Sequence, residues 1–169
     1  MLNETLHNLL NEQLNLELYS SYAYLSMAAY MDEKSLDGFA HWMKLQAEEE
    51  LQHAQKIYNY MADVGAKITM LAIKQPPVDF TSPLDAFTQA LDHEKHLAVE
   101  LNKISIEAGK AGDNTTVTFL DWFLTEQVEE VAQTSSICDK LTLIDDNGHG
   151  LLMLNNELRE RKREEEYAA

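Results

Sequence analysis

Gln46-Ala-Glu-Glu-Glu-Leu-Gln-His53 is the stretch that decides how this chain is read, and within it the pair Glu50-x-x-His53. A spacing of three stacks a carboxylate over an imidazole on one helical face. Around the pair, Phe39, Met43, Ala47, Ala54, Ile57 and Met61 recur every three or four residues, as the inward stripe of a long helix does. Glu50 and His53 fall inside that stripe. Burying a carboxylate without a partner costs several kcal/mol, so positive charge should meet it there.

Working outward, the same anomaly recurs on three more segments. Leu10, Leu14, Glu17, Ser21, Tyr24, Ala28 and Met31 share one face of a first helix, over about residues 3–32, with Glu17 interrupting the stripe. The second helix covers about 36–64, with Ser35 as its expected N-cap and Gly65 as its stop. Ser82-Pro83 opens a third helix, about 83–110, whose inner face runs Phe87, Ala90, Glu94, Leu97, Leu101, Ile104 and Ala108. Asn114 or Thr115 is expected to cap a fourth, about 115–145, with Leu120, Phe123, Gln127, Glu130, Thr134, Ile137, Leu141 and Ile144 inward. The Asn3 and Asn114 sequons read as helix-start residues, not glycan sites. Asn147-Gly-His-Gly150 breaks the chain before a short fifth helix, about 150–163, with Leu151, Leu154 and Leu158 on one side. The run Arg159 to Glu166 reads as a solvated tail. Residues 66–81, with Pro76-Pro77, form a long connection, which lets the second and third helices run parallel. The expected fold is all-α: one domain over 1–169, a four-helix bundle with a long crossover between helices 2 and 3 and a short C-terminal helix.

Composition bounds the partners. Twenty-nine acidic against thirteen basic residues give a net charge of −16, which repels nucleic acid and suits a cation-attracting surface. A single cysteine, Cys138, excludes an internal disulfide and fits a reducing compartment. No apolar run approaches the ~20 residues that span a bilayer, and no signal region precedes the first helix. A cytoplasmic protein without a membrane partner is expected.

Glu17, then Glu50 and His53, then Glu94, then Gln127 and Glu130 each lie near the middle of a helix, so the folded bundle should bring them to one level. Any one alone reads as an ordinary buried or interfacial polar residue. Together, uncompensated, they would cost more than a typical domain's stability. Helix-bundle di-iron sites are built from inward glutamates and a Glu-x-x-His motif. Hard carboxylate oxygens with an imidazole suit iron, and less selectively manganese or zinc. Four carboxylates would balance two divalent ions.

Taken as a set, Glu17-Leu-Tyr-Ser-Ser, Glu49-Glu50-x-x-His53, Glu94 and Glu126-Gln127-x-Glu129-Glu130 resemble the non-haem bacterial ferritins over nearly the whole chain. The resemblance implies a ferritin-like fold, a hollow shell of 24 subunits, a ferroxidase centre inside each subunit and a ferric mineral in the cavity. It implies that Glu17, Glu50 and His53 bind one iron, and that Glu50, Glu94 and Glu130 bind a second, with Glu50 bridging and Gln127 within hydrogen-bond range. Glu49, Glu126 and Glu129, sharing Glu130, match the family's third iron position. Tyr24, two turns beyond Glu17, could donate an electron or a hydrogen bond to the bound oxygen species; alone it would read as core packing, and Trp122 carries a weaker version of that ambiguity. The implied activity is oxidation of Fe(II) to Fe(III) by dioxygen or hydrogen peroxide for iron storage and detoxification.

Departures sharpen the reading. Gln133 stands where a second Glu-x-x-His would place histidine, which weakens the alternative of a di-iron oxygenase or peroxidase acting on an organic substrate. Leu51 stands where bacterioferritin has its haem-binding methionine, so no haem is expected, and no Cys-x-x-Cys pair supports a rubrerythrin. A passive storage subunit would lose Glu50, His53 or Glu94, and all three are kept. His7, His41, His93, His96 and His149 read as surface or structural, and Met27, Met31, Met43 and Met61 as core.

Overall fold

Two apolar clusters, stacked end to end, set the direction of every long helix. The computed structural model describes residues 2–163. Its elements are α1 (Glu4–Glu33), α2 (Asp37–Asp63), α3 (Pro83–Lys110), α4 (Asn114–Ile144) and α5 (Gly148–Arg159), with no strand among the described residues. One cluster joins Leu6, Leu10 and Leu14 of α1 to Ile57 and Met61 of α2, Leu101 and Ile104 of α3, and Leu120 and Phe123 of α4. The other joins Tyr24, Met27 and Met31 of α1 to Phe39 and Met43 of α2, Phe87 and Ala90 of α3, and Ile137 and Leu141 of α4. The second cluster thus holds the N-terminal ends of both α2 and α3. These two helices are parallel, as the long connection predicts, and each is antiparallel to its hairpin partner.

The connection lies along α1 and is tied to it. His7 Nε2 lies 2.6 Å from the Lys67 carbonyl, and Asn11 Oδ1 accepts from Thr69 N at 2.7 Å. Ser26 Oγ donates to the Pro77 carbonyl at 2.6 Å, and Phe80 packs edge-on against Tyr30. Those bonds satisfy backbone groups that no helix or sheet ladder serves.

Two helix starts follow the expected chemistry, and three correct it. Asn3 caps α1, accepting from Leu6 N at 2.8 Å. Ser82 caps α3, accepting from Asp85 N, with Pro83 in the first turn. Asn147 caps α5, so that helix starts at Gly148 and ends at Arg159 instead of covering 150–163. At α4 the cap is Asp113, one residue before the expected Asn114 or Thr115, and its carboxylate accepts from both Thr116 N and Thr116 Oγ1. At α2 Ser35 does not cap; it sits in the left-handed region at φ 58°, and Leu36 at the cap position offers no acceptor.

The acceptor for α2 comes instead from α5. Asn155 Oδ1 accepts from Gly38 N at 2.9 Å and Phe39 N at 3.3 Å, while its amide donates to Asp37. This is an N-cap supplied from 117 residues away. It needs glycine at 38, where a Cβ would lie 1.7 Å from the Asn155 carbonyl oxygen. With Leu154 and Leu158 buried, this fastens α5 across the start of α2. The expected solvated tail is also corrected at Arg161, whose side chain is 14% exposed and folds back on α2; residues 164–166 of that run lie outside the described residues.

Candidate metal centre

Between the two apolar clusters lies a belt of buried polar side chains, one group from each long helix. Glu17 on α1 is held by Gln13, one turn earlier, whose Nε2 donates to Oε1 at 2.6 Å. Glu50 on α2 has the same arrangement with Gln46 at 3.4 Å, and the Gln46 amide also donates to Glu130 Oε2 on α4. Glu94 on α3 accepts from the Tyr24 hydroxyl at Oε1 and from Gln127 Nε2 at Oε2, the latter at 2.6 Å. Gln127 Nε2 also bonds the Glu94 carbonyl at 3.0 Å, fixing its plane. Ser21 ties α1 to α2 through the Ala47 carbonyl at 2.7 Å.

His53 stands at the centre. Its Nδ1 is 3.4 Å from Glu50 Oε2 and 3.8 Å from Glu17 Oε2, and its Nε2 is 4.0 Å from Glu130 Oε1. Trp122 and Phe123 wall the ring edge-on. The inward oxygens Glu17 Oε2 and Glu50 Oε2 are buried and accept no hydrogen bond. Such orphaned acceptors are expensive unless a cation meets them.

Three groups of possible ligand atoms converge, each within 4.8 Å: Glu17, Glu50 and His53; Glu50, Glu94 and Glu130; and His53, Glu126 and Glu130. The first two share Glu50. Two divalent ions there would carry four positive charges against four carboxylates, with a neutral imidazole as the fifth donor, a set suited to iron.

Metal-free, the belt is electrostatically uncomfortable. Burial pushes the Glu94 carboxyl up to about 7, against the lowering effect of the Tyr24 and Gln127 hydrogen bonds. Burial, then repulsion from Glu94 and Glu17, raises Glu50 well above the usual range. Glu130 is raised by burial and then by Glu50 and Glu94. Tyr24 is raised too, first by burial and then by Glu94, so it remains a neutral donor. These are the marks of a site that carries protons until something better arrives.

The structure thus brings together Glu17, Glu50, His53, Glu94 and Glu130, with Gln127 and Tyr24 holding Glu94 from outside. Of the third-position residues, Glu126 reaches His53 and Glu130. Glu49 lies in an ion pair with Arg161 at 2.5 Å, and Glu129 is exposed. Gln133 is exposed as well. Sequence reasoning missed Gln13, Gln46 as an orienting residue, and Arg161. A glutamine four residues before an inward glutamate was a readable signal for the first two. Arg161 gave none, since its partners lie more than a hundred residues away.

The fold agrees with that of known relatives. A sequence model of the ferritin-like domain matches residues 7–144. Bacterial non-haem ferritins of Staphylococcus aureus and Staphylococcus saprophyticus are each 40% identical, over 98% of this chain and 100% and 99% of theirs. Among solved structures, an Archaeoglobus fulgidus ferritin engineered to a closed form matches with TM-score 0.94 at 38% identity, over 97% of this chain and all of that one. A humanized archaeal ferritin matches at 0.95, with the same identity, over 97% and 99% of the two chains. The chain belongs to the ferritin family.

Proposed function

We propose that the protein stores and detoxifies iron as a ferroxidase, oxidising Fe(II) at a two-iron centre inside each subunit of a 24-subunit shell. One observation carries this reading: two buried ligand groups on four helices share Glu50, with Glu17 Oε2 and Glu50 Oε2 accepting no hydrogen bond. Glu17, Glu50 and His53 take one ferrous ion; Glu50, Glu94 and Glu130 take the other, with Glu50 between them. A third ion belongs nearby, among Glu49, Glu126, Glu129 and Glu130. Iron is the substrate here. Two ferrous ions each lose one electron, and dioxygen with two protons leaves as hydrogen peroxide; peroxide as oxidant, with two protons, leaves as two waters.

The chain's own part is to fix the spacing before iron arrives. Gln13, Gln46, Gln127 and Tyr24 each hold a carboxylate oxygen from outside. Ferric product then hydrolyses and moves to the cavity. A cytoplasmic place fits the lone cysteine, Cys138, which is buried and whose thiol burial keeps protonated. No helix among the described residues is long and apolar enough to cross a membrane.

The test is Glu50→Ala. It removes the one ligand both ion groups need, so fast ferrous oxidation should disappear, by a factor on the order of a hundred or more, while the helical fold and assembly persist. Fast oxidation in that variant overturns the assignment.

A further inference from the structure

Two residues past the end of α5, the chain turns back along α2 and delivers one guanidinium into a built socket. Arg161 lies over the Trp42 ring, 4.6 Å from its centroid. Its Nη1 donates to the Trp42 carbonyl at 3.3 Å and to Gln46 Oε1 at 3.0 Å. Its Nη2 donates to Glu49 Oε2 at 2.5 Å, and its own carbonyl lies 2.8 Å from His41 Nε2. Residues 42, 46 and 49 fall on one stripe of α2. Both ends of the ion pair are largely buried, at 14% and 12% side-chain exposure. The neighbouring pair of Arg163 with Glu48 is exposed and contributes little.

Two consequences follow from the chemistry of the contacts. The arginine has only donors, so it forces the Gln46 oxygen outward and turns the amide nitrogen toward Glu130 and Glu50. The Glu49 carboxylate, meanwhile, already has its cation. Among the described residues Glu49 joins none of the three convergent ligand groups, although it sits next to Glu50 in sequence.

We propose that Arg161 is a built-in counter-cation that competes with a third metal ion for Glu49 and, through Gln46, sets the orientation of Glu130. This rests on the two-iron reading above and deepens it: the C-terminal segment decides whether the third position fills. A guanidinium is permanently charged, so it competes for Glu49 at every working pH. Removing it takes one positive charge away from a largely buried carboxylate and so favours a metal cation there.

The experiment is anaerobic ferrous titration of the assembled protein by calorimetry, with wild type, Arg161→Gln and Arg161→Lys compared. In the wild type two ions per subunit bind tightly and any third binds weakly. Arg161→Gln should tighten the third on the order of tenfold or more, leaving two tight ions in place. Arg161→Lys keeps the charge and should match the wild type for the third ion, a rescue that a merely structural role would not produce. A third ion unchanged within about twofold in Arg161→Gln, or tightened equally in Arg161→Lys, overturns the proposal while the two-iron reading stands. Absence of any tight ion in the wild type overturns both. Should Arg161→Gln fail to assemble, Arg161→Met, which keeps an aliphatic stem over the Trp42 ring and removes the charge, takes its place with the same expected tightening of the third ion; a third ion unchanged within about twofold in that variant refutes the idea.

Discussion

Metal binding at the belt should be strongly pH-dependent, and Glu94 gives the scale. A divalent ion needs the ionised carboxylate, while burial holds Glu94 at about 7. Its ionised fraction is therefore about 9% at pH 6 and about 91% at pH 8, so this group alone raises apparent metal affinity about tenfold across that interval. Glu50 and Glu130, each raised well above the usual range by burial first and then by neighbouring carboxylates including Glu94, steepen the rise. At pH 7 the half-protonated Glu94 gives up about half a proton per subunit on binding, and the other two add to it. Stability of the metal-free protein runs the opposite way. A carboxyl raised in the folded state leaves full stability below the unfolded value of 4.5, and that stability is lost as pH climbs through about 7. For Glu94, the cost reaches about 3 kcal/mol above neutrality. Anaerobic titration calorimetry at pH 6, 7 and 8, in two buffers of different ionisation heat, reads both affinity and released protons. Affinity flat across that range, with heat independent of the buffer, would refute the account of a protonated, waiting site.

Two further perturbations probe the supports. Tyr24→Phe removes a hydroxyl donor to a charged acceptor, worth about 1.5–3 kcal/mol; Glu94 should rise further, and the pH midpoint of metal binding should move up by about one unit or more, read in the same titration. Gly38→Ala drives a methyl into the Asn155 carbonyl, so α5 should lift and strip the cap from α2, at a cost of at least about 1–2 kcal/mol. Hydrogen exchange would then show lost protection over residues 148–159, while the Glu17 to Glu130 belt keeps its two ions.

Much of this was legible in the chain because helical periodicity is local. Every residue assigned to the inner face of α3, from Phe87 to Ala108, is buried, and the interruptions at Glu17, Glu50, Glu94 and Glu130 stand out against it. Helix starts were legible only where the capping group is adjacent, as at Asn3 and Ser82. Asn155 capping α2 and Arg161 gripping Glu49 are pairings set by how α5 docks, and no spacing rule reaches across that distance. The tail was misjudged for the same reason. A run of charges reads as solvated until one of them finds a buried partner.

The distribution of donors around the carboxylates then separates their roles. Among the described residues, Glu17, Glu50, Glu94 and Glu130 accept side-chain hydrogen bonds from neutral groups, the amides of Gln13, Gln46 and Gln127 and the Tyr24 hydroxyl. A neutral donor fixes a carboxyl without supplying a counter-charge, so the belt holds protons that a metal can displace. Arginines in those places would have stabilised the metal-free fold and satisfied the site permanently. Glu49, one residue from Glu50, does receive an arginine. The choice of amide or guanidinium beside two adjacent glutamates therefore separates a carboxylate whose charge is left for a cation from one that already has an arginine partner.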